Sequence, residues 1–472
     1  LKKECCGLLR KGDIKSKEIF NSFGINKIIY IDQGNIFTRF YNLIVAFNLL
    51  KNIKNIESLV KLKFENIEIG RAVYDQYLRF KKNPSTTSIV IDFYFFLSQA
   101  LILNKQFKNI FKINTNTYLI QSETQYYPYT LCMQNAIKFN NLVISRRGHI
   151  AKIGIKIFSK KNKNFNENRN RPPKKLVQLV YKEIYKKSEG KIKSTKSNIF
   201  KLNIGNEIHQ VINKSKNKKF FYSKKDVCNY FKFDEKKPIV LILAHELTDG
   251  NLHNSWNLFI NDFFWLEETI QKIKKIKNVN WIIKSHPSEK TYNCKIKTAD
   301  IYNKSAKKNQ NIKLFPENFN IKNFHKFTSV AISSHGTASG EYPLKSIPTI
   351  VCGESTSSNF GFNIVPKNKN EYFKILSKIS KLKKLKDGMI KKCYAFNCLL
   401  EYVSLENMPI SFETDITMNF DKKFFWKKTL KLRKRNDIYS NSFEKSLEFL
   451  LKNDCSYLIN LKRFKNLNSL FN

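Results

Sequence analysis

Three of the seven histidines follow directly on predicted β-strands in the second half of the chain. His245 comes after the apolar run PIVLILA, His286 after NWIIK and His335 after SVAIS. Predicted helices separate these runs, and parallel strands joined by helices place their carboxyl ends along one edge of the sheet. We therefore expect the three side chains to converge on one site, where their charge and hydrogen-bond donors would suit a phosphate.

The segment 331–341, AISSHGTASGE, has the composition of a phosphate-binding loop. Its small residues let a ligand approach the backbone, and a helix beginning near Thr337 would direct free N–H groups at an anion. Glu341, one turn further on, is placed to accept hydrogen bonds from ribose hydroxyls. The alternative is a Ser/Gly turn that only caps a helix. The candidate binding residues in this segment are Ser333, Ser334, His335, Gly336, Thr337 and Glu341.

The segment 284–289, KSHPSE, places two cationic groups just past a strand. Lys284 and His286 there would neutralise a phosphate leaving group as charge develops on it. Pro287 would stiffen the turn between them and the next helix. A His-Pro turn with no chemical role is the alternative interpretation.

The segment 245–250, HELTDG, adds carboxylates to the same edge of the sheet. Glu246 or Asp249 could deprotonate a hydroxyl group as a general base. Alternatively, Asp249 and Gly250 simply form a turn.

The pattern of strands and helices that would position these residues predicts an α/β fold of two lobes. Strand-like runs alternate with helical patterns in both halves, which is typical of parallel sheets covered by helices. We predict a first α/β lobe over 1–160, a Lys/Asn-rich linker with connecting helices over 161–237, a second α/β lobe over 238–410 and a basic helical segment over 411–472.

The charge balance is strongly basic, with 85 Lys and Arg against 38 Asp and Glu, for a formal net charge of +47. Such a chain attracts polyanions, including nucleotides, nucleic acids and anionic membranes. The excess lies in scattered Lys/Asn tracts, and no zinc-finger spacing or RNP-like motif accompanies it. Nucleic acid is therefore not the expected partner.

The expected location is the cytoplasm, with any membrane association peripheral. Nine cysteines occur without a CxxC pair, which indicates reduced thiols. The most apolar stretch, 89–103, is shorter than a bilayer span and contains Asp92, so we predict a buried helix.

Several catalytic signatures are absent from the sequence. There is no Asp-x-Asp, Gly-x-Gly, GKS/GKT or HExxH. The sequence therefore lacks the usual motifs of dinucleotide-binding, P-loop and zincin sites, and we predict no metal ligand.

The segment 244–289, with AHELTDG, WNLF, FFWLEET and VNWIIKSHPSE, resembles bacterial capsule and surface-carbohydrate biosynthesis proteins related to Kdo transferases. The segment 67–79, IEIGRAVYDQYLR, resembles their acceptor lobe. The His-Pro pair is also similar to that of bacterial sialyl- and polysialyltransferases, whose histidine contacts the cytidine monophosphate leaving group. That role would fall on His286.

The resemblance implies a GT-B-like fold, with two Rossmann-like lobes and a cleft between them, and a metal-independent glycosyltransferase. It also implies a nucleotide-sugar co-substrate, expected to be CMP-linked and Kdo-like, with no other cofactor, and a glycan or lipid-linked acceptor. An anionic inner-membrane surface is a further expected partner. Where those sialyltransferases carry an acidic pair before glycine, this chain has Thr248, Asp249 and Gly250. The general base therefore stays open between Asp249, Glu246 and Asp75.

Three other functions remain open at this point. The first is a CDP-polyol phosphotransferase of the teichoic-acid type, and the second is the epimerase variant of the same fold. The third is a non-enzymatic basic protein that binds nucleic acid or an anionic membrane. Nucleotide binding separates the enzymes from the third.

Overall fold

The computed structural model describes two α/β lobes whose facing surfaces are in contact. The residues described are 6–10, 17, 20–21, 24–25, 27–86, 88–148, 152–160, 170–185, 219–250, 257–407, 441–453 and 455–467. The predicted α/β class with two lobes is confirmed.

The first lobe combines a helical layer with short strands. Its strands are β1 (Cys6–Arg10), β2 (Lys27–Ile31), β3 (Tyr118–Gln121), β4 (Leu142–Arg147) and β5 (Lys152–Phe158). Its helices are α1 (Ile36–Leu50), α2 (Ile56–Val60), α3 (Ile69–Lys81), α4 (Ile91–Ile113) and α5 (Tyr126–Lys138). The pairs β1–β2 and β3–β4 are parallel, as the alternation of strands and helices predicts.

Strand β5 departs from that pattern because it pairs antiparallel with β4. Only four residues separate Arg147 from Lys152, too few for the crossover that a parallel partner needs. Gly148 makes the reversal possible with φ at +102°, and a Cβ there would lie 2.7 Å from the Lys152 carbonyl oxygen. The first lobe therefore has a mixed sheet where the sequence alternation predicted a parallel one.

The long helix α4 forms the centre of the first lobe. It buries Phe93, Leu97 and Leu101 against α3 and α5, so the prediction of a buried helix over the apolar stretch is confirmed. Within the described residues, the helices all fall short of the length and apolarity needed to cross a bilayer.

The second lobe is a parallel five-stranded sheet covered by helices. Its strands are β6 (Ile239–Leu243), β7 (Asn280–Lys284), β8 (Ile312–Leu314), β9 (Thr328–Ser333) and β10 (Thr349–Val351). Its helices are α7 (Lys224–Phe231), α8 (Asp262–Ile273), α9 (Glu289–Tyr292), α10 (Thr298–Ser305), α11 (Ala338–Glu341) and α12 (Lys369–Ser377). The strand order β8-β7-β6-β9-β10 corresponds to the order 3-2-1-4-5 of a Rossmann-like sheet. Strand β6 is apolar throughout because helices cover both of its faces.

The remaining elements connect the lobes. They are α6 (Lys174–Tyr185), α13 (Asp387–Cys398), β11 (Glu406–Asn407), α14 (Asn441–Lys452) and α15 (Leu461–Lys465). Helices α6 and α13 share a core, while β11 joins the sheet of the first lobe beside β5. The predicted linker and basic C-terminal segment lie partly outside the described residues, which exclude 161–169, 186–218, 408–440, 454 and 468–472.

Candidate active site at the carboxyl edge of the second sheet

The site lies where the strand order of the second sheet reverses. Strands β7 and β9 flank β6, and Leu243 at the end of β6 is level with Lys284 and Ser333. Because the three strands end at the same height, the loops that follow them start side by side. Ligands of open α/β sheets bind at such a reversal point.

The three histidines predicted from the strand ends do lie together. The ring centroids of His245 and His335 are 4.2 Å apart, and those of His245 and His286 are 5.3 Å apart. His335 is buried, while His245 and His286 are half-buried. The cluster thus lies at the edge of the second lobe and is partly open to a ligand.

A buried carboxylate that sequence reasoning missed joins two of these histidines. Oδ2 of Asp262 lies 3.3 Å from Nδ1 of His245 and 3.5 Å from Nε2 of His335. Asp262 is the first residue of α8, and Asn261 caps that helix by accepting a hydrogen bond from the Phe264 N–H at 3.1 Å. An Asn-Asp pair before an apolar helix is an ordinary capping pattern, so no separate sequence signal marks Asp262.

Asn261 also ties this turn to the first lobe. Its side-chain amide donates to the Tyr74 hydroxyl at 2.9 Å and to the Pro84 carbonyl at 3.1 Å. The residue before Asp262 therefore caps a helix in one lobe and contacts the other lobe.

The His245–Asp262 pair carries charge at neutral pH. Burial disfavours the protonated imidazole, but the hydrogen bond to Asp262 and the charges of Asp262 and Asp249 outweigh it and raise the pKa of His245 to about 9. Burial likewise disfavours the ionised carboxyl of Asp262, yet the charge of His335 and the bond from His245 lower its pKa. The result is an imidazolium next to a carboxylate.

Among the described residues, His245, Asp262 and His335 form the set whose ligand atoms are close enough together to hold a metal ion. One ring nitrogen of His245, one of His335 and a carboxylate oxygen of Asp262 all lie within 4.8 Å of one another. Imidazole and carboxylate together suit zinc and other divalent transition metals. The sequence motifs gave no indication of such a set.

We expect Asp262→Asn to remove a pH-dependent part of the folding free energy. The rise of the His245 pKa from 6.5 to about 9 corresponds to roughly 3 kcal/mol. Because the folded-state pKa is raised, this stabilisation is complete below about pH 6.5 and disappears as the pH rises through about 9. The difference between the free energies of unfolding of wild type and variant should therefore change by up to roughly 3 kcal/mol between pH 6 and pH 10, with the variant relatively less stable at pH 6. Urea titrations at several pH values measure the difference.

Chelator-treated protein is the control for that measurement, because bound metal would alter the same groups. Titrating groups that do not interact with His245 or Asp262 contribute equally to both proteins and cancel in the comparison. A difference that stays constant from pH 6 to pH 10 would show that Asp262 does not set the pKa of His245.

His286 presents a defined hydrogen-bond donor. Its Nδ1 accepts the backbone N–H of Ser288 at 3.2 Å, so in the neutral ring the proton resides on Nε2. Pro287 lies in the turn between them. The His286 ring is half-buried.

Lys284 ends β7 beside this turn. Its ammonium donates to the Ser285 carbonyl at 2.8 Å and lies 5.8 Å from the ring centre of Phe315. The nearby Glu289 is buried and accepts hydrogen bonds from the backbone and hydroxyl of Thr298, which anchors the segment that follows. The turn after β7 therefore carries one ammonium group, that of Lys284, which acts electrostatically on the buried Glu289.

The loop after β9 is built from buried small residues, as predicted. Ser333 donates to the His335 carbonyl at 3.3 Å, Ser334 is buried, and Gly336 has φ at +147°. A Cβ on Gly336 would lie 3.9 Å from Cδ2 of His245. Thr337 is the exposed N-cap of α11, and Glu341 is its half-buried last residue.

Helix α11 is shorter than the phosphate-binding helix that the sequence indicated. It spans only Ala338–Glu341, because Pro343 lacks the N–H that would continue the α-helical bonding. A single turn aligns few peptide dipoles, so its N-terminus contributes little field. The positive charge of the histidine cluster therefore comes mainly from the His245 imidazolium.

The three candidate bases occupy different surroundings. Glu246 is fully buried and accepts bonds from the backbone and hydroxyl of Thr248 at 2.7 to 3.1 Å, and burial raises its pKa to about 7. Asp75 is buried within α3 of the first lobe. The Asp249 side chain is 33% exposed, which makes it the most accessible of the three.

Asp249 lies where the two lobes meet, and residues of the first lobe that the sequence did not single out surround it. The Tyr126 hydroxyl donates to its Oδ1 at 2.9 Å, and Nη1 of Arg79 lies 3.5 Å from the same oxygen. The Arg79 guanidinium in turn stacks 3.8 Å above the ring centre of Tyr292. Contacts between residues so distant along the chain leave no local sequence pattern.

A second polar cluster, which was also not predicted from the sequence, includes residues of the loop after β10. Glu354 is buried and ion-paired with Arg171. Nearby, the Ser339 hydroxyl bonds to those of Ser355 at 3.0 Å and Ser357 at 2.6 Å. These bonds fix α11 against the neighbouring loop.

Comparison with known proteins finds likeness only among solved structures. No family model matches the chain, and no curated protein does. KpsC of Thermosulfurimonas dismutans, a beta Kdo 2,4 transferase, is 10% identical, with 66% of this chain and 86% of that chain covered and a TM-score of 0.35.

Two UDP-GlcNAc 2-epimerases are similar over more of the chain. That of Neisseria meningitidis, solved with UDP-GlcNAc, is 9% identical, with 84% and 97% of the two chains covered and a TM-score of 0.29. That of Methanocaldococcus jannaschii is 13% identical, with 84% and 98% covered and a TM-score of 0.29. Identities and TM-scores at this level assign neither an activity nor a residue role to this chain.

Proposed function

We propose that the protein is a nucleotide-sugar-dependent glycosyltransferase of surface-polysaccharide synthesis. The observation that carries the proposal is the convergence of His245, His286 and His335 at the reversal point of a Rossmann-like sheet, beside a carboxylate at the lobe junction. A cluster of charged and hydrogen-bond-donating side chains can bind the phosphate of an activated sugar, and the carboxylate can take a proton from an acceptor hydroxyl.

The donor phosphate would lie against the histidine cluster. His286 donates from Nε2 to a phosphate oxygen, while the imidazolium of His245 and the ammonium of Lys284 supply charge. These groups hold the leaving nucleotide as the glycosidic C–O bond breaks and the nucleotide takes the electron pair. The small residues 333–337 let the backbone approach the same phosphate.

The acceptor would approach Asp249 from between the lobes. As the acceptor oxygen bonds to the anomeric carbon, its proton passes to the Asp249 carboxylate. Arg79 and Tyr126 hold that carboxylate in place from the first lobe. Contacts from both lobes align the two substrates, which is how a two-lobed site lowers the barrier.

The proposed donor is a CMP-activated acid sugar of the Kdo type, and the proposed acceptor is a glycan or glycolipid. A transferase acting on such donors needs no organic cofactor. The histidine cluster would also accept the diphosphate of a CDP-polyol. Transfer of polyol phosphate is therefore kept as one outcome of the test.

We expect cytidine nucleotides to stabilise the folded protein. A ligand present at a hundred times its Kd adds about 2.7 kcal/mol to the free energy of unfolding, which raises the melting temperature by several degrees. Thermal-shift measurements with CMP, CDP and UDP test this, and release of free nucleotide from CMP-Kdo, CMP-sialic acid, CDP-glycerol and UDP-sugars then identifies the reaction.

The outcomes separate the candidate functions. A response to CDP with turnover of CDP-glycerol would assign the polyol-phosphate transferase instead, and interconversion of UDP-GlcNAc without transfer would assign the epimerase. If no nucleotide shifts the melting temperature while DNA binds with a steep salt dependence, the transferase proposal fails.

A further inference from the structure

Helix α1 of the first lobe exposes a continuous apolar face. Six large side chains on it are between 46% and 80% exposed, namely Ile36, Phe37, Phe40, Tyr41, Ile44 and Phe47. At 100° per residue these positions cover an arc of about 140° on the helix. The buried residues Asn42, Ala46 and Leu50 lie on the opposite side.

The apolar surface continues onto the neighbouring helix. The rings of Phe47 and Tyr94 are 5.9 Å apart, so the start of α4 lies beside the end of α1. Ile91 and Phe95, which lie one turn apart on the first two turns of α4, are 70% and 52% exposed. Single exposed apolar residues are ordinary, but a contiguous patch of this size marks an interaction surface.

The charges within α1 and the turn that follows it are basic, whereas Asp32 and Glu57 flank this stretch and Asp92 on α4 is ion-paired with Lys81. Residues 33–56 contain Arg39, Lys51 and Lys54 and no Asp or Glu. All three basic side chains are exposed. A helix that has aromatic residues on one face and contains no acidic residue matches the helices that lie in a membrane interface.

We propose that the α1 face, extended by Ile91 and Phe95, docks the protein onto an anionic lipid bilayer. The aromatic side chains would enter the boundary between head groups and acyl chains, and the basic residues would contact lipid phosphates.

Charge favours a bilayer over a second copy of the chain. Each chain carries a formal net charge of +47, so association of two copies brings like charges together, whereas an anionic bilayer attracts the same charge. The inference does not depend on the proposed reaction, because it concerns the outer surface of the first lobe and not the histidine cluster.

The test is co-sedimentation of the full chain with vesicles of phosphatidylcholine, with and without phosphatidylglycerol. Wild type should bind only the vesicles that contain phosphatidylglycerol. The variant Phe37→Ser/Phe40→Ser/Tyr41→Ser should lose about tenfold or more in apparent vesicle affinity because it removes the inserted side chains. The variant Lys51→Glu/Lys54→Glu should also bind less, with the aromatic residues intact.

The matched control is Leu179→Ser/Tyr222→Ser/Met389→Ser, which changes three exposed apolar residues outside the first lobe. It should bind vesicles like wild type. All variants should keep the wild-type melting temperature and its response to nucleotide, which separates this test from that of the reaction.

Three results would overturn the proposal. In the first, wild type fails to bind anionic vesicles. In the second, the aromatic variant binds them as well as wild type does, so that charge alone explains binding. In the third, sedimentation shows a wild-type dimer that the aromatic variant dissociates, which would make the α1 face a contact between copies.

Discussion

Alanine at position 286 is expected to lower the turnover of nucleotide-sugar transfer by about 10² to 10⁴. The Ser288 N–H occupies Nδ1 of His286 and leaves the proton on Nε2, where it can stabilise the departing phosphate. Alanine removes that donor from the transition state. The rate of nucleotide release under saturating donor measures the loss.

His325→Ala is the matched control for this variant. His325 precedes β9 and so lies at the opposite end of the sheet, with its ring bonded to the Lys322 carbonyl at 3.0 Å. It should retain wild-type turnover. Both variants should unfold at wild-type temperature, since neither ring belongs to a hydrophobic core. Full activity of His286→Ala would remove His286 from the mechanism.

Asparagine at position 249 is expected to have an effect of similar size on turnover while leaving donor binding in place. Asp249→Asn keeps the shape of the side chain and an oxygen for Tyr126, but an amide cannot take the acceptor proton. We expect kcat to fall by about 10² to 10⁴ with the KM for the donor little changed. Steady-state kinetics with the acceptor varied, alongside nucleotide thermal shifts, measure both.

The other two carboxylates supply the comparison. Glu246→Gln should act mainly on stability, because the buried carboxylate accepts the Thr248 backbone and hydroxyl donors. Asp75→Asn changes a buried group within α3. If one of these variants, and not Asp249→Asn, loses turnover while folding normally, the base must be reassigned to it.

The histidine cluster could be predicted because its signal is local. A buried parallel strand is recognisable in the sequence as an unbroken apolar run. The residues that follow each run must then lie at the carboxyl edge of the sheet. His245, His286 and His335 each follow such a run, so their convergence required only the correct fold class.

The partners of these histidines could not be predicted, because packing between distant segments places them. Asp262 has the sequence context of an ordinary helix start. Arg79 and Tyr126 reach Asp249 from the other lobe, and such a contact depends on how the lobes pack. The hairpin at Gly148 was also missed, since the alternation of apolar runs does not distinguish a parallel neighbour from an antiparallel one.

The double role of Asn261 connects the geometry of the lobes to the electrostatics of the histidine cluster. Rotation of one lobe away from the other must stretch the two hydrogen bonds that Asn261 donates to Tyr74 and Pro84. The next residue is the carboxylate that holds two imidazole rings. Separation of the lobes would therefore strain the support of that carboxylate, so under the proposed mechanism an acceptor that brings the lobes together would also stabilise the charged His245.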